Sequence, residues 1–423
     1  MAFNYEINQL ELMQARIKSV PHGWQFTYVG KAFCIRNNLR KPISEEERSM
    51  SPGNYPYYGP TKIQGYIGTF EQDGSYALIG EDGDHFLKFE KHSMTQLVDG
   101  KCTVNNHAHI IEGTKEASRE WFYYYFMHRD IFSFLSRQGA GRYKLNKASL
   151  EKMPLLLPPI VEQKKIAQIL STWDKAISVT EKLLTNSQQQ KKALMQQLLT
   201  GKKRLGLPAG SYEFKITRYG SIPKDWDYPA IKEICTQVSE KNSAAVDHPV
   251  LSCSKYDGFV DSLKYFNKKV YSDDLSGYRL IHRGCFGFPS NHIEEGSIGL
   301  QNLYDTGIVS PIYVVFRASP TKVDNSYLYA VLKTDHYKQI FGAATNASVD
   351  RRGSLRWKEF NQIHVPLPPL KEQQKISAVL SAADAEITTL EKKLACLKDE
   401  KKALMQQLLT GKRRVKVDEA VAE

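Results

Sequence analysis

The chain has 423 residues, of which 41% are hydrophobic and 25% charged, with a formal net charge of +12. That length suggests two or three domains, and the composition is that of a soluble globular protein able to bury proper cores. Six scattered cysteines (Cys34, Cys102, Cys235, Cys253, Cys285, Cys396) form no CxxC pair, which argues against a disulfide framework or a structural zinc and for a reducing compartment. The positive balance favours a polyanionic partner, because each Lys or Arg placed on a phosphate releases a condensed counterion.

Met1-Ala2-Phe3-Asn4-Tyr5-Glu6 shows no basic segment followed by an apolar run, so no signal peptide is expected. Nowhere do about 18 uninterrupted apolar residues occur, as a membrane helix would require. The expected location is cytoplasmic, with no membrane partner. A globular block then opens at Val20-Pro21-His22-Gly23-Trp24 and runs to about residue 155. It contains β-like runs at Tyr76–Ile79 and His109–Ile111, set among Gly, Asn and Asp turns, and a helix is predicted over Arg119–Phe134. Residues 156–204 read as a long helix and 205–221 as a linker. A second block opens with Ile222-Pro223-Lys224-Asp225-Trp226 and runs to 365. Its strand-like run is Tyr313–Phe316, and its predicted helix spans Ser326–Ile340. Residues 366–414 read as a second long helix and 415–423 as a tail.

The two long helices are copies. Residues 191–202 and 401–412 carry the same twelve letters at an offset of 210. The offset holds backwards through Glu162-Gln163 with Glu372-Gln373 to Pro158-Pro159 with Pro368-Pro369. Proline is tolerated in a first helical turn, so these pairs mark the starts. Gly201 and Gly411 mark the stops, each followed by basic residues (Lys202-Lys203-Arg204, Lys412-Arg413-Arg414) that would complement the helix dipole. Apolar residues recur on a seven-residue period at Leu170, Ile177, Leu184 and Leu198, and at Leu380, Ile387, Leu394 and Leu408, which is the pattern of a coiled-coil seam. Lys191 and Lys401 interrupt it at the same place. Two matched seams in one chain most simply pair with each other. The expected fold is therefore α+β, with two globular α/β blocks separated by two long helices in an antiparallel coiled coil of approximate two-fold symmetry. Two other arrangements are open: each helix packing on its own block, or pairing with other chains, which is compatible with either.

A duplicated scaffold holding two divergent inserts resembles the specificity subunit of type I restriction–modification systems. The resemblance spans essentially the whole chain. It rests on the two Leu-Pro-Pro to Glu-Gln helix starts (157–163, 367–373), the two Leu-Leu-Thr-Gly-Lys ends and the two Pro-x-x-Trp openings. It implies two target-recognition domains (1–155 and 222–365), each reading one half of a bipartite site in double-stranded DNA. The helices would set the spacer and dock two methyltransferase subunits. Motor-nuclease subunits would join for restriction. S-adenosylmethionine, ATP and Mg would belong to those partners, with no cofactor in this chain.

The motifs agree with a non-catalytic reader. The Gly-Lys pairs at 30–31, 100–101, 201–202 and 411–412 are followed by Ala, Cys, Lys and Arg rather than the Ser or Thr of a P-loop. No Asn-Pro-Pro-Tyr box and no GxGxxG loop is present. His107 and His109 have no second ligand cluster, so no metal site is expected. Two alternatives stand beside this reading: a specificity module of another restriction or methylation enzyme, and a coiled-coil assembly scaffold that reads no DNA. The second is disfavoured by reading the inserts as basic and aromatic-bearing.

Base readout calls for Arg or Lys on guanine, Asn or Gln on adenine and apolar contact with thymine methyls, all carried on exposed loops. The candidates in the first block are Tyr57, Tyr58, Lys62, Asn105, His107, Arg137, Arg142 and Lys144. In the second they are Lys255, Tyr256, Arg279, Asn291, His292, Asn346, Arg351, Arg352 and Arg356. The runs 137–144 and 346–356 combine glycine or small residues with dense positive charge just before a scaffold helix.

Overall fold

The computed structural model describes every residue except 1, 12, 14–16, 18, 138–140, 209, 219, 245, 346–352 and 417–423. The chain forms two compact units, Met1–Glu181 with Lys392–Glu423, and Lys182–Glu391. The division falls inside both long helices, Ile160–Leu198 and Leu370–Leu408. Each unit thus owns the front half of one helix, the back half of the other, and one globular head.

The helices end where the sequence says they should. Gly201 and Gly411 have φ of +69° and +68°, a region that glycine occupies without steric cost. A Cβ on Gly201 would lie 2.3 Å from Pro223 Cγ, and one on Gly411 2.3 Å from Pro21 Cγ. Both the backbone sign and the contact therefore demand glycine.

Within each unit the two helix segments run antiparallel. In the first, Asp174 pairs with Lys401, and Glu181 Oε1 lies 2.7 Å from Lys398 Nζ. In the second, Lys191 pairs with Asp384, and Ser187 Oγ donates to Glu386 Oε1 at 3.0 Å. Numbers rise on one segment as they fall on the other. Leu170, Leu198, Leu380 and Leu408 are buried, whereas Ile177, Leu184, Ile387 and Leu394 are half-buried. The seam is fully dry only where a head covers it: Leu170 and Leu408 join the core of the first head, Leu198 and Leu380 that of the second. The seam lysines Lys191 and Lys401 each reach an aspartate on the facing segment.

A repeated clamp ties each head to its helices. In the first unit Arg414 donates Nε and Nη2 to Glu162 at 2.7 and 2.8 Å, Trp24 Nε1 donates to the same carboxylate at 3.0 Å, and Arg414 Nη1 donates to His22 O at 2.6 Å. In the second, Arg204 donates to Glu372 at 2.6 and 2.7 Å and to Asp225 at 2.8 and 3.0 Å. The arginines expected to serve the helix dipole go instead to carboxylates at the start of the opposite helix. Next to those carboxylates, Gln163 accepts from Ser118 N–H at 2.9 Å and donates to Glu116 O and Pro158 O. Gln373 does the same with Asp324 N–H, Lys322 O and Pro368 O.

The heads differ above these matched clamps. The first carries a six-stranded sheet in the order Cys34–Ile35, Ala108–Glu112, Gln72–Gly80, Thr95–Val104, Pro52–Tyr58, Ile63–Ile67. Its pairs are antiparallel except the one joining Pro52–Tyr58 to Thr95–Val104. The second carries a four-stranded antiparallel sheet, Cys235–Val238, Tyr313–Ala318, Phe286–Pro289 and Gly299–Leu300, beside two hairpin-like pairs. The predicted strands Tyr76–Ile79, His109–Ile111 and Tyr313–Phe316 all lie in these sheets.

Two helix predictions need correction. Arg119 starts a helix under a Ser118 cap, but it ends at Phe126 rather than Phe134. Asp130 Oδ1 then accepts from Phe132 N–H at 2.9 Å, opening a separate short turn, Phe132–Phe134. The helix predicted over Ser326–Ile340 is two helices, Asn325–Leu332 and Asp335–Ala344, because the Thr334 hydroxyl caps Tyr337 N–H and restarts the winding. No described helix is long and apolar enough to cross a membrane.

Candidate nucleic-acid interface

In the first head one end of the sheet gathers four loops. Asn105 N–H donates to Tyr58 O at 3.0 Å, Glu81 N–H to His107 O at 2.8 Å, Gly83 N–H to Tyr143 O at 3.0 Å, and Gly59 N–H to Lys62 O at 2.9 Å. These backbone bonds bring Tyr58, Lys62, Asn105, His107 and Lys144 to one edge. Lys62, His107, Arg137, Arg142 and Lys144 are exposed there and Tyr58 is half-buried.

Two candidates are corrected. Tyr57 is 1% exposed, accepts from Ile43 N–H through its hydroxyl at 2.9 Å, and lies under the Arg48 guanidinium at 4.9 Å. Asn105 is 4% exposed, donating to Gln64 Oε1 at 3.0 Å and accepting from His107 N–H at 2.8 Å. Both support the loops rather than face solvent. Alternation along the chain could have flagged Tyr57, which sits inward on its strand between half-buried neighbours.

The two histidines read as a possible ligand pair point apart. His107 Nδ1 lies 2.7 Å from Asp82 at the surface, whereas His109 is buried between Leu145 O and Asn37, and burial holds its imidazole below the usual pKa. Beneath the exposed lysines sits Glu81. Burial would raise its carboxyl, but Arg40, His109 and Lys144 outweigh that and hold it below the ordinary value. Arg40, absent from the sequence candidates, also donates to Asn106 O at 3.0 Å. It stiffens the turn that presents His107.

In the second head the tip of the hairpin Leu251–Ser254 and Gly258–Asp261 presents Lys255 and Tyr256. Tyr256 is 80% exposed, with the Lys255 ammonium 5.0 Å from its ring centre. The Lys333 Nζ, missed in the sequence, donates to Lys255 O at 2.8 Å and Gly296 O at 2.9 Å, joining this tip to the loop that carries Asn291 and His292. Burial lowers the Lys333 pKa. Both Asn291 and His292 are half-buried, and His292 Nδ1 lies 3.0 Å from Glu295. With Glu294 these two bring ligand-type atoms within 4.8 Å of one another at an exposed turn. Arg279 is half-buried and donates to Pro311 O at 3.2 Å, while Arg356 is exposed beside Leu355, whose N–H donates to Ser290 O at 2.8 Å. Asn346, Arg351 and Arg352 lie outside the described residues.

Each head thus carries exposed cations at its loop tips, with Tyr58 half-buried among them in the first and Tyr256 fully presented in the second. That set of groups suits phosphates and base edges.

Comparison with known proteins agrees with this arrangement. The family model described as the type I restriction modification DNA specificity domain matches twice, over residues 21–186 and 223–398. A putative type I restriction enzyme specificity subunit from Haemophilus influenzae is 26% identical over 358 residues, covering 82% of this chain and 84% of that one. The type I restriction enzyme MjaVIII specificity subunit from Methanocaldococcus jannaschii is 26% identical over 436 residues, covering 98% of each. In fold, the crystal structure of the type I restriction–modification S subunit from M. genitalium is similar, with a TM-score of 0.58 at 14% identity over 93% of this chain and 96% of that one. The chain belongs to the type I restriction–modification DNA specificity family.

Proposed function

We propose that each head reads one half of a bipartite DNA sequence, that the paired helices fix the distance between the halves, and that two methyltransferase subunits dock on this scaffold. The observation that carries the reading is the contrast between clamp and head. Arg414–Glu162 and Arg204–Glu372, with Gln163 and Gln373, are the same device built twice, whereas the sheets above them differ in strand number and order. Matched mounts for unlike heads suit one repeated holding task and two separate specificities. S-adenosylmethionine chemistry, and ATP-driven restriction where motor-nuclease subunits join, belong in this reading to the partners. The chain contributes position and sequence choice.

A scaffold that reads no DNA is the competing view, and binding separates the two. The chain assembled with its methyltransferase partner is expected to retain a subset of random duplex fragments that share a split motif. Retention of none at any salt concentration would favour the scaffold.

A further inference from the structure

The inserts are not basic, contrary to the sequence expectation. Residues 20–155 hold 17 Lys and Arg against 15 Asp and Glu, and residues 222–365 hold 17 against 16. The surplus lies on the helical segments, with 9 against 3 in 156–204 and 10 against 6 in 366–414. In the first helical segment all three carboxylates are taken up: Glu162 by Arg414, Asp174 by Lys401, Glu181 by Lys398. Within the first unit this leaves Lys164, Lys165 and Lys175 exposed on the helix without an ion-pair partner among the described residues. Within the second unit Lys182, Lys192 and the Lys202-Lys203 pair are in the same condition. Lys164 and Lys175 are three turns apart, about 16 Å along one side of the helix, while Leu170 between them is buried.

From this charge division we infer that the outer face of the first long helix, in each unit, binds the sugar–phosphate backbone of duplex DNA outside the bases being read. The inference rests on the DNA-reading role proposed above and assigns its electrostatic part. A row of lysines whose neighbouring carboxylates are already paired can release counterions along a duplex, adding to the phosphate contacts open to the exposed cations of the near-neutral heads. Lysine is a mobile point charge on a flexible stem, suited to following phosphates. The heads choose the sequence, and the helix holds the duplex.

The test replaces Lys164, Lys165, Lys175 and Lys182 by Gln in the chain assembled with its methyltransferase partner. Binding is measured between about 50 and 200 mM salt on duplexes with and without the site that the complex methylates. The expected result is a shallower salt dependence, by about 0.9 in log–log slope for each lysine that meets a phosphate, with both duplexes weakened alike. The matching Lys→Arg variant should keep the wild-type slope. An intact Gln complex with an unchanged slope on both duplexes would overturn the inference. So would loss of methyltransferase assembly accompanied by a wild-type slope in whatever complex remains, since the face would then be a protein-docking one. Wild-type complex that treats the two duplexes alike would instead defeat the proposed reading role.

Discussion

Replacing Arg204 by Met should lower the unfolding free energy by about 3 kcal/mol, because it leaves the mostly buried Glu372 carboxylate without its cation, while water recovers the exposed Asp225. The Arg204 side chain is 4% exposed and makes paired hydrogen bonds to two carboxylates, Glu372 and Asp225. Methionine keeps most of the volume, so the loss reports the uncompensated Glu372 carboxylate rather than a cavity. The same change at Arg414 should cost less. Its side chain is 43% exposed, and after its removal Glu162 keeps the Trp24 indole N–H as a donor. In the second unit the Trp226 Nε1 has no hydrogen-bond partner among the described residues. Urea unfolding of both variants checks the order, and equal small losses would show that neither clamp holds its unit.

Gln163→Leu and Gln373→Leu should each cost about 4 kcal/mol despite matching volume. Both amides are fully buried. Each holds one N–H and two carbonyl oxygens where the helix, its proline start and the head meet. Leucine leaves those groups without partners, at about 1–3 kcal/mol apiece. Glutamate, whose charge would be buried against the two carbonyl oxygens, should cost at least as much as leucine. A leucine variant of wild-type stability would mean that water replaces the amide at this junction.

The scaffold was legible in the sequence because its signals are local and duplicated. Proline starts, glycine stops and a seven-residue period act within a turn or two, and the offset of 210 doubles the evidence for each. The heads were less legible. Tyr76–Ile79 reads as a strand from its own composition, but its neighbours come from residues 95–104 and 108–112, and nothing in the letters gives that order. The over-long helix at Arg119–Phe134 shows the opposite error. Its aromatic run looks continuous, while Asp130 quietly begins a new turn. The clamps were hidden by distance: Arg204 and Glu372 are 168 residues apart, Arg414 and Glu162 252. Glu162 and Glu372 stood out only as matching letters in the repeat.

Among the candidate contacts, Lys62, His107 and Lys144 are exposed on loops that backbone hydrogen bonds hold along one edge. Burial was not visible, so Tyr57 and Asn105 were placed outside when packing draws them in. The supports Arg40 and Lys333 were missed for a related reason. Each holds backbone carbonyls, and a carbonyl leaves no mark on the sequence.

The most direct measurement is an exchange of one head. Residues 20–155 are replaced by the corresponding segment of a relative, leaving both helices and the second head intact, and methylated sites are mapped across the genome of cells carrying the hybrid. One half of the recognised sequence should change, while the other half and the spacing stay as they were. A hybrid that remains active yet alters both halves together would contradict two independent heads on a shared scaffold.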